Sequence, residues 1–409
     1  MSTRERQRTV LFVGAGRHQR RAIEQARGRG LRVAAVDRNA DAPGLAAADV
    51  AGVVDFTDTG GVVEFAREVG IDGVLTVSAD RAVPVVATVA ETFGLPGIGA
   101  EVAHRLTHKR LIRERLEEAG LPQPPYAALR GEEDLTAALA AVSFPAVLKP
   151  ADSGGQRAVF RVESRADVER NLAEAVEESP TGEAVLEEFV DGTELNGIVI
   201  ARNGTPRVVT LSDRLRPPGV GFGVGWIHVY PPSIPSEQVV LAARVAEDAV
   251  SALGLRDAIA FPQLIASPDG RVSVVEVAAR IPGGQMADLV RHAVGVDLVE
   301  VALRQALGEP VPDETALPRF SQPLAIRFFT AEPGPLPTGR VVTIGSLEPV
   351  LETEGVVQAD TYIQVGETIR PVRRDGDRRG YVIAIADTWQ EALRRAEDAA
   401  ARFTVEVAA

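Results

Sequence analysis

The sequence predicts a protein of mixed α/β and α+β class. It starts with a parallel-sheet unit, continues through a central region of helices and antiparallel strands, and ends in a small β-rich segment. Three observations carry this. The 409 residues exceed one ordinary domain. Residues 9 to 98 alternate single strands with single helices, the pattern of parallel strands joined by right-handed crossovers. Beyond residue 145, short apolar runs are separated by Gly, Pro and Asp, as in antiparallel sheets.

In the first unit, "TVLFVGAG" is a buried strand ending in glycines, "HQRRAIEQARGRG" a helix, and "LRVAAVDRN" a second strand. "GGVVEFAREVGI" and "DRAVPVVATVAETFG" supply helices around the strand "DGVLTVS". A helix follows, with Thr107 at its N-cap and Gly120 beyond its end. "GLPQPPYAALR" reads as an extended connection. Next come the strands "PAVLKPA" and "AVFRV", a helix over 165–178, and the strands "EAVLEEFV" and "LNGIVIA". A long Pro/Gly loop lies within 205–235, and a helix spans 237–253. The strands "AIAFPQLIAS" and "RVSVVEVAA" are joined by "PDG", a hairpin signal. Residues 288–307 read as helical, and 389–402 as a closing alanine-rich helix. The expected units are 1–98, 99–315 with a smaller subdomain near 125–190, and 316–409.

Composition narrows the function. Hydrophobic residues make up 45% and charged residues 25%, enough to build packed cores. A net charge of −13 argues against a general binder of nucleic acid or anionic membrane. With no cysteine, thiol catalysis and thiolate zinc sites are excluded. The apolar run Val10–Gly14 is too short for a signal peptide, and no stretch suggests a membrane span, so the expectation is a cytoplasmic protein.

The loop "VGAGRHQRRAI", with Asp37 at the end of the next strand, suggests a dinucleotide fingerprint. Gln19 stands where the third glycine would be, which weakens that reading.

The chemistry concentrates in residues 105–284. Lys109 opens a helix and alone reads as a solvated lysine. Lys149 ends an apolar strand before "DSGG", where glycines let backbone N–H groups approach phosphate oxygens and the lysine adds a point charge. In "VLEEFVDGTE", the amides of Glu188 and Val190 are placed to bond an adenine edge, and Glu194 to accept from ribose hydroxyls; an ordinary charged hairpin gives the same pattern. Gln263 and Glu276 lie on the two arms of the later hairpin, where register can set them opposite each other. A carboxylate and an amide oxygen suit Mg²⁺ bridged by phosphates, and Arg280 would face the same phosphates.

In this order, the elements resemble the ATP-grasp superfamily of carboxylate–amine ligases: a partial Rossmann-like unit, a helix lysine, a strand lysine with a glycine loop, "EEFVDGTE", then a hairpin carrying Gln, Glu and Arg. The resemblance covers about residues 9–310 and implies the ATP-grasp fold. It implies ATP and Mg²⁺, or Mn²⁺ in its place, as cofactors. Lys109 and Lys149 would contact phosphates, and Ser153, Gly154 and Gly155 would belong to the closing loop. Glu187, Glu188, Phe189 and Val190 would hold adenine, Glu194 the ribose, and Gln263 and Glu276 the metal. Arg280 would be catalytic, stabilising the transferred phosphoryl group. Arg214, His228, Gly283 and Gly284 are candidates for binding the small-molecule acid and amine. The resemblance also admits a homodimer.

Two departures mark this chain. Gln263 stands where most members carry Glu or Asp, and Ala278 where many carry Asn. "EVAAR" instead is similar to the L-amino acid ligase branch, as are "SDRLRPPGVGFGVGWIHVYPP" and "GDRRGYVIA". The expected reaction activates a carboxylate as an acyl phosphate and joins it to an amine. The alternatives are a carboxylase of the biotin carboxylase or purine type, and a non-catalytic ATP-binding homologue.

Overall fold

The computed structural model describes residues 6–154, 157–217 and 224–408. The first unit is a four-stranded parallel sheet ordered Val50–Val53, Arg32–Asp37, Thr9–Val13, Gly73–Leu75. The crossover reading therefore holds. The edge strand Val50–Val53 carries little sequence signal because a glycine interrupts it. A Cβ on Gly52 would lie 2.6 Å from the Phe65 ring, so close packing requires the glycine.

Four strands form a separate antiparallel sheet ordered Tyr126–Leu129, Ala184–Glu188, Ala146–Pro150, Phe160–Val162. The helices Leu135–Ala141 and Arg165–Glu177 supply the other half of its core, with Leu129, Leu148, Leu186 and Val168 buried between the layers. The second helix starts at Ser164, whose side chain accepts the Asp167 N–H.

The central sheet has eight antiparallel strands. They run Val272–Ala278, Ala258–Ala266, Thr193–Arg202, Thr205–Leu215, Ile227–Tyr230, Leu324–Phe328, Gly380–Ile385, Val356–Thr361. Three strands from the last ninety residues thus extend the same sheet as the hairpin. One face buries the helix Ser236–Ala252. On the other, Met286–Val294 and Leu298–Ala306 fill the space between this sheet and the first unit. The closing helix Trp389–Ala400 buries Ala392, Ala396, Ala399 and Ala400 against the C-terminal strands. No helix among the described residues is long and apolar enough to cross a membrane.

Two local expectations are corrected. Thr107 does not cap the helix Lys109–Glu118; His108 holds that position, and the Thr107 hydroxyl donates to Ala103 O and His104 O at the end of the preceding helix. The helical stretch 288–307 is two helices. Gly295 at φ 76° ends the first, and the Asp297 carboxylate accepts from Val299 and Glu300 N–H to start the second.

Candidate active site

The strand holding Lys149, the helix starting at Lys109, the central hairpin and the C-terminal strands converge on a cavity of about 470 Å³. Every site residue expected from the sequence that falls among the described residues lines it: Lys109, Lys149, Ser153, Gly154, Glu187, Glu188, Phe189, Val190, Glu194, Arg214, His228, Gln263, Glu276, Arg280, Gly283 and Gly284. Gly155 lies outside the described residues.

On the side of the four-stranded antiparallel sheet, in the lid position, the Lys109 ammonium donates to Ser153 O at 2.7 Å, which ties the helix start to the loop after Lys149. Lys149 is buried and lies 2.8 Å from Glu187. Burial pulls the lysine below its usual range, and Glu187 opposes that shift. Burial also pushes against ionisation of Glu187, but Arg113 and Lys149 outweigh it and hold the carboxyl down to about 2. The Glu187 side chain is therefore an internal counter-ion. Arg113, which the sequence reading passed over, is fully buried and grips Glu187 with Nε at 2.9 Å and Nη2 at 3.1 Å.

The strand end beyond Glu187 offers less than the sequence promised. The Glu188 N–H donates to Pro125 O and the Phe189 N–H to Pro145 O. Only the Val190 N–H has no partner among the described residues and remains for an adenine edge. Val147 and Phe189 from the lid and Leu264 and Val275 from the hairpin form apolar walls around this region.

The hairpin register places Gln263 directly opposite Glu276, as the sequence reading expected. The next pair is Leu264 with Val274, so Val275 is the extra residue of a β-bulge. On its other side Gln263 pairs with Asn196 and donates Nε2–H to Asn196 Oδ1 at 3.4 Å. That leaves the Gln263 Oε1 for a ligand. The Glu276 carboxylate has no hydrogen bond or ion pair among the described residues. One amide oxygen beside one uncommitted carboxylate fits a hard cation that keeps water and phosphate oxygens as its remaining ligands. Glu194, in contrast, is paired with Arg214 at 2.8 Å and Arg216 at 3.1 Å.

Arg280 leaves the second hairpin strand and meets Asp80 in a two-pronged ion pair, Nε to Oδ1 at 2.7 Å and Nη2 to Oδ2 at 2.8 Å. Asp80 belongs to the first unit and gave no sequence signal. The contact is held by backbone: Val77 bridges Ile281 in parallel, and the Ser78 N–H donates to Ile281 O at 2.9 Å. A Cβ on Gly283 would lie 2.4 Å from the Ser78 hydroxyl, so only glycine permits this approach.

His228 is buried, its Nδ1 lies 3.2 Å from Asn196 Nδ2, and its Nε2 faces Gly284. Burial, then Arg378 and Arg214, keep the ring's pKa well below its usual value. Arg378 stacks 4.2 Å over the Phe328 ring, and Arg17 stacks 4.3 Å over Tyr362. These C-terminal residues and Arg17 complete the far end of the cavity and were not foreseen.

The glycine loop of the first unit is occupied from within. Asp37 accepts the Ala15 N–H at 2.9 Å and the Asn39 N–H at 3.0 Å, and the buried Gln19 donates to Val77 O at 2.5 Å. The carboxylate that would bind ribose in a dinucleotide site braces the loop instead.

Comparisons with known proteins agree with this geometry. The profile of the L-amino acid ligase C-terminal domain 2 matches residues 327–408, and that of the D-ala D-ala ligase C-terminus matches residues 116–220. The structure of an L-amino acid ligase from Bacillus licheniformis superposes with a TM-score of 0.84 at 21% identity, covering 99% of this chain and 100% of that one. The chain has the fold of the ATP-grasp ligases. A formate-dependent phosphoribosylglycinamide formyltransferase from Ignicoccus hospitalis is 27% identical over 408 residues, 96% of this chain and 94% of that protein. An uncharacterised protein, y4rH, from Sinorhizobium fredii is 27% identical over 338 residues, and the match spans 78% of this chain but 65% of that protein. In fold terms, the four-stranded sheet occupies the lid position of ATP-grasp structures, and the eight-stranded sheet with its hairpin the palm position.

Proposed function

We propose that this ATP-grasp protein activates a small-molecule carboxylate with ATP and joins it to an amine, forming an amide or peptide bond. One observation carries the reading: a single cavity gathers two lysines, the opposed Gln263–Glu276 pair, the free Val190 N–H and Arg280. Lys109 and Lys149 take nucleotide phosphates, with Ser153 and Gly154 in the loop above them. Val190 holds the adenine edge. Glu194 is the ribose acceptor in this reading, though its two arginines already restrain it.

Gln263 and Glu276 would hold Mg²⁺, which supplies neutralisation of phosphate charge. The acid's carboxylate oxygen attacks the γ-phosphorus, the γ-phosphoryl bond to ADP breaks, and an acyl phosphate forms. The amine then attacks the acyl carbon, loses a proton, and phosphate leaves. Arg280 balances charge on the transferred group, and a closed lid excludes water from the labile intermediate. His228, its Nε2 facing Gly284, belongs with Gly283 and Arg214 to the acid and amine pocket. The profile match over 327–408 and the "EVAAR" motif support the L-amino acid ligase branch, with amino acids as substrates.

The test is a phosphate-release screen of amino acids, singly and in pairs, with mass detection of products. The expected result is ADP and phosphate formed together with an amide product. ADP formation with bicarbonate alone would replace this reading with a carboxylase. Mg²⁺-ATP binding without ADP formation across the whole panel would leave a non-catalytic nucleotide-binding homologue.

Gln263→Glu is expected to tighten Mn²⁺ binding several-fold in the presence of a non-hydrolysable ATP analogue, because it adds a second anionic ligand. An EPR titration of free Mn²⁺ checks this. Unchanged or weaker binding would remove Gln263 from the metal site.

A further inference from the structure

Arg113 makes contacts that no nucleotide-site role yet explains. It lies one helical turn from Lys109, on the same face of the helix Lys109–Glu118. Its fork with Glu187 reaches Lys149 through that shared carboxylate. Two further hydrogen bonds go to the hairpin, Nη1 donating to Val274 O at 2.7 Å and Nη2 to Val275 O at 2.6 Å, and Nη1 also donates to Gln123 Oε1 at 3.4 Å. Gln123 braces it by donating to Arg113 O at 2.9 Å.

Those two carbonyls sit at the β-bulge. The strand Val272–Ala278 is the edge of the eight-stranded sheet, so its outer polar groups have no strand to pair with. The Val274 N–H goes to Pro122 O, and the two carbonyls go to Arg113. The bulge decides which face the next residue presents, because a shift of one residue in a strand reverses its side chains. That next residue is Glu276.

We propose that Arg113 is the positioning residue of the nucleotide site: one buried guanidinium sets the bulge that aims Glu276 and, through Glu187, the place of the Lys149 ammonium. A lysine at this position keeps the charge opposite Glu187. Its single ammonium cannot span acceptors on both the lid strand and the hairpin. This inference rests on the ATP-grasp reading of the cavity and adds a residue that touches neither nucleotide nor metal.

The experiment measures Mn²⁺ affinity by EPR with β,γ-methylene ATP, in the wild type, in Arg113→Lys and in Arg113→Met. The methionine variant covers the case in which the lysine variant fails to fold, since Glu187 keeps Lys149 as its partner and no unpaired charge is buried. Far-UV circular dichroism and melting curves identify the folded variants. The expected result is a roughly tenfold or greater loss of Mn²⁺ affinity in whichever variants fold. The analogue's affinity without metal should change far less in Arg113→Lys. Wild-type Mn²⁺ affinity in any folded variant overturns the proposal while leaving the nucleotide reading intact. Absence of Mn²⁺–nucleotide binding in the wild type overturns both.

Discussion

Arg280→Ala is expected to reduce acid-dependent ADP formation by about a thousandfold, the upper range for removing one preorganised donor from a developing charge. Two features make the effect large. Arg280 lines the cavity just beyond the second hairpin strand, two residues after Ala278. Removing it also strips Asp80 of its two-pronged partner and leaves that carboxylate facing an anionic substrate. ATP binding should persist, because Lys109, Lys149 and the Val190 edge remain in place. A coupled ADP assay, with calorimetry of a non-hydrolysable ATP analogue, separates the two quantities. Turnover within tenfold of wild type would remove Arg280 from the chemistry.

The second large effect is on stability. Glu187→Gln leaves Arg113 and Lys149 as buried cations without their shared counter-ion, and removing one member of such a set costs about 3–5 kcal/mol. Urea denaturation at neutral pH measures the loss. The wild type should also carry a pH signature. The Glu187 carboxyl is held at about 2 in the folded state against an ordinary 4.5. A depressed carboxyl contributes stability that is fully present above 4.5 and disappears as pH falls from 4.5 towards 2. Between those values the wild-type curve should be steeper than that of Glu187→Gln. Parallel curves would mean that Glu187 is not the ionised partner.

The residues legible in the sequence were those whose position follows from local pattern. Lys149 and Glu276 each interrupt an apolar strand, but counting from the "PDG" turn would set Gln263 against Val275, and only the bulge brings Glu276 opposite it. Arg113 was hidden because "KRLIRERLEE" has the charge alternation of a solvated helix, and nothing local shows that one of its arginines is buried. Asp80 was hidden because its partner lies 200 residues away. The same non-locality concealed the C-terminal strands. Local pattern marks only a small β-rich segment and does not show that its strands continue the eight-stranded sheet beside Ile227–Tyr230. The break at Gly295 was legible and was passed over. Glycine followed two residues later by a capping aspartate is a stop and a start in close succession.

The stitch between Val77–Ser78 and Ile281–Gly283 bears on how this enzyme can be rebuilt. Rossmann-like units of this kind invite exchange between relatives as self-contained blocks. Here the graft boundary cannot be drawn at the linker near residue 98, because residues 77–80 and 280–283 form one joint made of backbone bonds, a glycine contact and an ion pair. A chimera that replaces the first unit must carry both halves of that joint from the same parent. Otherwise Arg280 enters the cavity without the carboxylate that orients it.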